Sequence, residues 1–171
     1  PFIGASGLSR YPMQQPLELV RAICDWLDLS SRNVTVARGA DEGIDCLMRA
    51  FCVPAVDNIV ICPPTFAMYA QSAMLQGVDV RKVPLADHFG LDTGGIMAAV
   101  DGNTKMVFVC SPNNPTANLM DRDAVAGLCT ALSGRALVVV DETYIDYADA
   151  DSMATELERF ENLVVSVSYT H

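Results

Sequence analysis

Acidic and amide side chains follow two apolar segments of the sequence, where buried strands are expected to end. Asp141 follows the apolar run 136–140, and Asn113 and Asn114 stand between two prolines after the run 105–110. A carboxylate at the mouth of a buried strand is costly unless it has a partner. Asp141 could pair with a protonated ring nitrogen, coordinate a metal ion or cap a helix. Prolines on both sides could hold an amide rigidly, although such residues are also common in ordinary turns.

Aromatic residues lie near these polar groups in the sequence. Phe66 ends the segment Cys62-Pro63-Pro64-Thr65-Phe66, where its ring could stack on a flat ligand or pack in the core. Tyr144 lies three residues past Asp141. Tyr11 lies near the start of the chain and is unremarkable by itself.

The segment Gly39-Ala40-Asp41-Glu42 combines a glycine turn with a predicted helix start. The free amides and the positive dipole end of a helix favour a phosphate, and glycine lets a ligand approach the backbone closely. Acidic residues in a first turn also occur as ordinary capping groups. Both interpretations are open for this segment.

Helix-like and strand-like segments alternate along the chain. Helical spacing of apolar residues predicts helices over 17–27, 41–51, 66–75, 96–100, 121–132 and 153–160. Short apolar runs predict strands over 33–37, 58–62, 78–83, 105–110, 136–140 and 163–167. This pattern is typical of an α/β fold, a three-layer αβα arrangement with a mostly parallel sheet. In such folds ligands bind outside the carboxyl ends of the strands.

Composition excludes several classes of function. The formal net charge of −10 argues against nucleic acid or an anionic membrane as a partner. The six cysteines form no C-x-x-C pair and are expected to be reduced thiols of a cytoplasmic protein. The sequence has no clustered Cys/His metal pattern, no G-x-G-x-x-G after a strand and no G-x-S-x-G elbow.

Four motifs in this order resemble the fold-type I aminotransferases of class I/II, which depend on pyridoxal 5'-phosphate (PLP), and most of all histidinol-phosphate aminotransferase. The motifs are R-G-A-D-E-G at 38–43, C-P-P-T-F at 62–66, C-S-P-N-N-P-T at 110–116 and V-D-E-T-Y at 140–144. The likeness covers residues 8–165. It implies that the chain is a fragment of the large, PLP-binding domain of such an enzyme.

The resemblance also implies a role for each candidate residue. The backbone amides of Ala40 and Asp41 would hold the cofactor phosphate, and Tyr11 would reach the phosphate in the neighbouring subunit of a homodimer. Phe66 would stack on the pyridine ring, where the family usually has tyrosine. Asn114 and Tyr144 would hydrogen-bond the ring hydroxyl oxygen, and Asp141 would pair with the protonated ring nitrogen. Ala117 stands where the family commonly has glycine, so we expect slight strain in that turn.

The end of the sequence departs from the family pattern. The family continues into a serine-lysine pair whose lysine forms the Schiff base with the cofactor, and an ungapped comparison puts His171 at that position. We therefore expect residues 1–12 to be the remnant of an N-terminal segment, 13–165 an incomplete large domain and 166–171 a tail foreign to the family. The small C-terminal domain is expected to be absent. Because the first residue is proline, the N-terminus is expected to be a cut end.

The parent protein is predicted to transfer an amino group between L-histidinol phosphate and 2-oxoglutarate in histidine biosynthesis. This chain is predicted to be inactive, because the Schiff-base lysine is missing. Alternatives are another fold-type I aminotransferase, a PLP decarboxylase or a non-catalytic binding module. Fold alone does not choose between them.

Overall fold

The computed structural model describes residue 11 and residues 13–168 of the chain. The chain divides into a small unit, Pro1–Val36, and a larger unit, Ala37–His171. The small unit contains helix α1, Leu17–Leu27, and a 3₁₀ turn, Ser31–Asn33. Asp28 follows helix α1 as its C-cap and adopts a left-handed conformation with φ of 53°.

The strand predicted over 33–37 is wrong, because the structure assigns no strand to these residues. The side chain of Gln15 occupies the main-chain groups of Val36 instead. Val36 N–H donates to Gln15 Oε1 at 2.7 Å, and Gln15 Nε2 donates to Val36 O at 3.2 Å. A side-chain amide thus satisfies backbone groups that a neighbouring strand would satisfy in a sheet.

The larger unit is built around a five-stranded sheet in which every neighbouring pair of strands is parallel. The strand order is β2-β1-β3-β4-β5. The strands are β1 Asn58–Ile61, β2 Asp79–Lys82, β3 Thr104–Cys110, β4 Leu137–Asp141 and β5 Leu163–Ser166. The helices are α2 Ala40–Phe51, α3 Met68–Leu75, α4 Thr93–Ala99 and α5 Arg122–Ala131.

Alternate residues of the central strands face two separate apolar cores, as the pleat of a strand requires. One core joins the sheet to helices α2 and α3 and includes Ile44, Met48, Ile59, Tyr69, Phe108 and Val139. The other joins the sheet to helices α4 and α5 and includes Val60, Ile96, Val107, Val125, Leu128 and Val138. The predicted three-layer α/β fold with a parallel sheet is therefore confirmed.

The helix predicted over 153–160 forms only a 3₁₀ turn, Met153–Glu156. A segment this short has little helical stability of its own. Its start is fixed by the buried carboxylate of Glu142, which accepts hydrogen bonds from Met153 N–H at 2.7 Å and from the Ser152 hydroxyl. Ser166, the first residue of the predicted foreign tail, is the last residue of β5.

All six cysteines are unpaired, and four of them are buried. Among the helices of the described residues, none is both long and apolar enough to cross a membrane.

Candidate functional site

A cavity of about 200 Å³ lies beyond the carboxyl ends of β3 and β4. Its lining contains six of the predicted site residues, which are Ala40, Asp41, Phe66, Asn114, Asp141 and Tyr144. Arg38, Gly39, Cys110, Thr143 and Ser168 complete it. The parallel sheet brings its strand ends to one edge, so segments far apart in sequence meet there.

Asp141 is the last residue of β4 and is only 3% exposed. Its Oδ2 accepts a hydrogen bond from the Tyr69 hydroxyl at 2.6 Å. Its Oδ1 accepts from Thr143 N–H at 3.1 Å and from the Thr143 hydroxyl at 2.7 Å. These three hydrogen bonds hold the carboxylate in one orientation.

Capping was one of the roles considered for Asp141. Its Oδ1 accepts a hydrogen bond from the N–H of Thr143, two residues later, and an aspartate with this bond caps a tight turn. The bonds from Thr143 involve only Oδ1, so Oδ2 is left to other partners. For the metal role, no group of three or more His, Cys, Asp and Glu side chains in the described part of the chain could hold a metal ion.

Tyr69 is a contact of Asp141 that the sequence analysis did not select. The residue lies in α3 and its ring is fully buried. The ring stacks on Phe108, with centroids 4.8 Å apart, and meets Phe66 edge to face at 5.6 Å. Burial and the nearby Asp141 carboxylate raise the pKa of Tyr69 above its ordinary value, so the hydroxyl keeps its proton and donates. Tyr69 follows Phe66 by three residues, and this spacing was the sequence feature that could have indicated a position beside the Phe66 ring.

The two adjacent asparagines have different surroundings. Asn113 is buried, accepts a hydrogen bond from the Thr65 hydroxyl at 3.0 Å, and donates to Pro64 O at 2.9 Å and to the Thr116 hydroxyl at 2.6 Å. Asn114 is half-buried and lines the cavity. Asn113 therefore joins two loops, and Asn114 faces the space where a ligand would lie.

The start of helix α2 forms another wall of the cavity. Gly39 precedes the helix with φ of 87° and ψ of 173°, a conformation open essentially to glycine alone. Gly43 N–H is bonded to Gly39 O at 3.4 Å, so the amides of residues 40–42 precede the first intrahelical bond. Glu42 reaches back and accepts a hydrogen bond from Arg38 N–H at 2.5 Å. Ala40 and Asp41 thus bring a helix N-terminus, which favours anions, to the cavity.

Two predicted features are not tested by this cavity. Tyr11 belongs to the small unit and is fully exposed, and its contact with a neighbouring subunit stays a prediction. His171 lies outside the described residues. The only lysines of the sequence are Lys82 and Lys105, and neither lines the cavity. Lys105 Nζ lies 3.5 Å from a carboxylate oxygen of Asp57.

A larger open cavity of about 740 Å³ runs along β2 and the amino ends of β1 and β3. Arg81 in its lining is already bound to Ala99 O and to the Asp101 carboxylate. Apart from Lys82 at the end of the edge strand β2, its lining lies away from the carboxyl ends of the strands, where α/β sheets bind ligands. The smaller cavity around Asp141 is therefore the stronger candidate site.

A sequence profile of the family "Aminotransferase class I and II" matches residues 4–170. The chain belongs to this family. The resemblance predicted from the four motifs is confirmed. Among class I and II relatives, the histidinol-phosphate aminotransferase of Pectobacterium atrosepticum is 46% identical over 158 residues. That of Cytophaga hutchinsonii is 42% identical over 163 residues.

Solved structures of related enzymes share the fold. The histidinol-phosphate aminotransferase of Clostridium acetobutylicum matches 97% of this chain, with a TM-score of 0.78 and 21% identity. The L-threonine-O-3-phosphate decarboxylase of Porphyromonas gingivalis matches 95%, also with a TM-score of 0.78, and is 19% identical. At these identities the matches establish the fold and leave the reaction open.

The chain spans less than half the length of the curated aminotransferases that it matches. The match includes 92% of this chain but only 44% of the Pectobacterium atrosepticum protein. For Cytophaga hutchinsonii the shares are 95% and 46%. The predicted domain limits, with an incomplete large domain over 13–165, stay predictions.

Proposed function

We propose that this chain is a PLP-binding part of a transaminase whose whole form transfers an amino group between L-histidinol phosphate and 2-oxoglutarate. The observation that carries the proposal is the meeting of the buried Asp141 carboxylate, the Asn114 amide and the start of helix α2 around one cavity.

The donor set of the cavity fits a phosphorylated, cationic heterocycle. The three hydrogen bonds to the buried Asp141 carboxylate come from neutral groups, and a protonated ring nitrogen would supply both a positive charge and a further hydrogen bond. A helix N-terminus at Ala40 suits a phosphate, and the half-buried ring of Phe66 suits a flat ring. The ring nitrogen, the phosphate and the flat ring of PLP therefore each have a matching group in the lining.

Each of the predicted site residues then has a specific task. Asp141 holds a proton on the ring nitrogen, and the amides of Ala40 and Asp41 bind the phosphate. Phe66 stacks on the ring. Asn114 and Tyr144 bind the ring hydroxyl oxygen, and Tyr11 of a second subunit contacts the phosphate in a homodimer.

The bound cofactor supplies an electron sink for the carbanion that forms when an amino acid substrate loses its α-proton. The contribution of this chain is orientation and charge. Three hydrogen bonds fix the Asp141 carboxylate in place, where it would accept a hydrogen bond from the protonated ring nitrogen. The start of helix α2 would hold the phosphate, and Phe66 would pack against the ring.

We propose that the chain by itself does not catalyse transamination. Covalent attachment of the cofactor and movement of the α-proton require a lysine amine at the site. Lys82 lies at the end of the edge strand β2, and Lys105 lies at the opposite end of β3 from the cavity. Neither amine is placed to do this work.

The proposed substrates follow from the curated relatives, which carry the name histidinol-phosphate aminotransferase at 41–46% identity. A homodimer and a cytoplasmic location for the whole protein rest on the same likeness. Another aminotransferase or a PLP decarboxylase is the second candidate, because the shared fold does not choose the reaction. A non-catalytic binding module is the remaining alternative.

The proposal is tested by equilibrium dialysis of the chain against PLP and against pyridoxal, which lacks the phosphate. We expect PLP to bind reversibly and pyridoxal to bind at least about tenfold more weakly, because the helix start contributes only to PLP. A mixture with PLP, L-histidinol phosphate and 2-oxoglutarate should form no glutamate. Failure to bind PLP contradicts the assigned cofactor site, and glutamate formation contradicts the assigned inactivity.

A further inference from the structure

Tyr69 contacts Asp141 and Phe66, two of the residues that the proposed function places on the ring of the cofactor. Its hydroxyl donates to Asp141 Oδ2 at 2.6 Å, and its ring packs against Phe66 with centroids 5.6 Å apart at 79°. The ring of Phe108 stacks on the Tyr69 ring, with centroids 4.8 Å apart and an angle of 19° between the ring planes. Full burial between these partners leaves Tyr69 little freedom to move.

The hydrogen bonds of Asp141 are divided unequally between its two oxygens. Oδ1 accepts two bonds, both from Thr143, whereas the Oδ2 bond comes from Tyr69. A carboxylate oxygen has room for about two hydrogen bonds. Among the described residues, Oδ1 is therefore filled by the turn, and Oδ2 has capacity for one further donor.

We infer that Tyr69 is a positioning residue, which turns Asp141 so that Oδ2 takes the proton-bearing nitrogen of the cofactor ring. This inference rests on the proposed function. Tyr69 does not touch the cofactor in this account. It acts through Asp141 and, by its ring, through Phe66.

The hydroxyl is the informative part of Tyr69, because a phenylalanine would fill the same space in the core. A buried hydroxyl needs a partner, and here the partner is the one carboxylate in the cavity lining that is buried. Without the Tyr69 hydroxyl, Asp141 would keep only the bonds from Thr143 to Oδ1, and rotation of its carboxylate would be less restricted. Because burial and the Asp141 charge raise the pKa of Tyr69, the hydroxyl keeps its proton and donates a hydrogen bond to Asp141.

Tyr69→Phe tests the inference, since it removes the hydroxyl and keeps the ring. The ligands are PLP and an analogue in which carbon replaces the ring nitrogen. The positioning role predicts that the variant binds PLP about tenfold more weakly than the unmodified chain. The same role predicts that the analogue binds both chains equally, because it offers no nitrogen to Oδ2. Tyr147→Phe, at an exposed tyrosine, is the matched control and should bind both ligands as the unmodified chain does.

Two results would overturn the inference. One is unchanged PLP affinity in Tyr69→Phe. The other is an equal loss for PLP and for the analogue, which indicates a structural role, and thermal unfolding of the variant would then show the same loss of packing. An unmodified chain that binds no PLP contradicts the proposed function instead, so the two failures are distinguishable.

Discussion

The Thr65 hydroxyl donates a hydrogen bond to Asn113 Oδ1 at 3.0 Å and so joins two loops that are 48 residues apart in sequence. The first loop carries Phe66 and the second carries Asn114. Asn113 extends the connection by donating to Pro64 O and to the Thr116 hydroxyl. Two walls of the candidate cofactor cavity therefore depend on one buried amide that does not line it.

Replacement of Asn113 by alanine should destabilise the fold. The change leaves Thr65 and the carbonyl of Pro64 without their buried partner, at a cost of about 2 kcal/mol in the free energy of unfolding. Asn114→Ala is the matched control, because that half-buried side chain lines the cavity and should affect PLP binding far more than stability. Urea unfolding of both variants measures the difference. Equal destabilisation by the two would count against the division of roles.

Gly39 and Gly43 provide a second matched pair. A Cβ added at either position meets no atom within 4 Å, but Gly39 has φ of 87° whereas Gly43 lies inside helix α2. Gly39→Ala should cost about 2 kcal/mol of stability and weaken PLP binding at the helix start. Gly43→Ala should stabilise the chain by about 1 kcal/mol. Thermal unfolding would contradict this account if both variants shifted the midpoint in the same direction.

Ala117 shows the strain expected from its sequence position, with a φ of 60° in the left-handed region. Ala117→Gly should therefore raise the free energy of unfolding by about 1 kcal/mol, because glycine adopts this conformation without a steric penalty. Ala126→Gly in helix α5 is the control, and it should lower stability by about the same amount. Denaturant titration checks both signs, and a loss of stability in Ala117→Gly would refute the strain.

Glu142 should make stability depend on pH. Burial outweighs its hydrogen bonds and raises the pKa of Glu142 above the ordinary value of 4.5. The folded chain then keeps a proton that the unfolded chain releases, so this contribution is fully present below pH 4.5 and is lost as the pH rises through the folded pKa. Glu142→Gln removes it. The free energy of unfolding of the unmodified chain, minus that of the variant, should fall as pH rises from 4.5, and a difference independent of pH would be inconsistent with the raised pKa.

The sequence predicted the sheet and much of the cavity because both depend on local patterns. Apolar runs mark buried strands, and a parallel sheet brings their carboxyl ends together, so Asn114 and Asp141 were expected at one edge. The run 33–37 has the composition of a strand, but the distant Gln15 side chain occupies the backbone groups of Val36. No local pattern reveals such a contact.

The support of Asp141 was harder to predict than Asp141 itself. The bond from Thr143 N–H follows a local pattern, in which an aspartate accepts from the residue two positions on. Tyr69 is 72 residues away from Asp141 in sequence and reaches it only through the packing of α3 on the sheet. A buried tyrosine in an apolar helix resembles ordinary core packing until its hydroxyl partner is known.

The PLP affinity of Asp141→Asn, measured by equilibrium dialysis beside the exposed control Asp146→Asn, tests most directly whether Asp141 binds the cofactor ring. The asparagine keeps the shape of the side chain but removes the charge that pairs with the protonated nitrogen. We predict an affinity at least about tenfold lower for Asp141→Asn and an unchanged affinity for Asp146→Asn. Equal PLP affinities for Asp141→Asn and the unmodified chain would contradict the account.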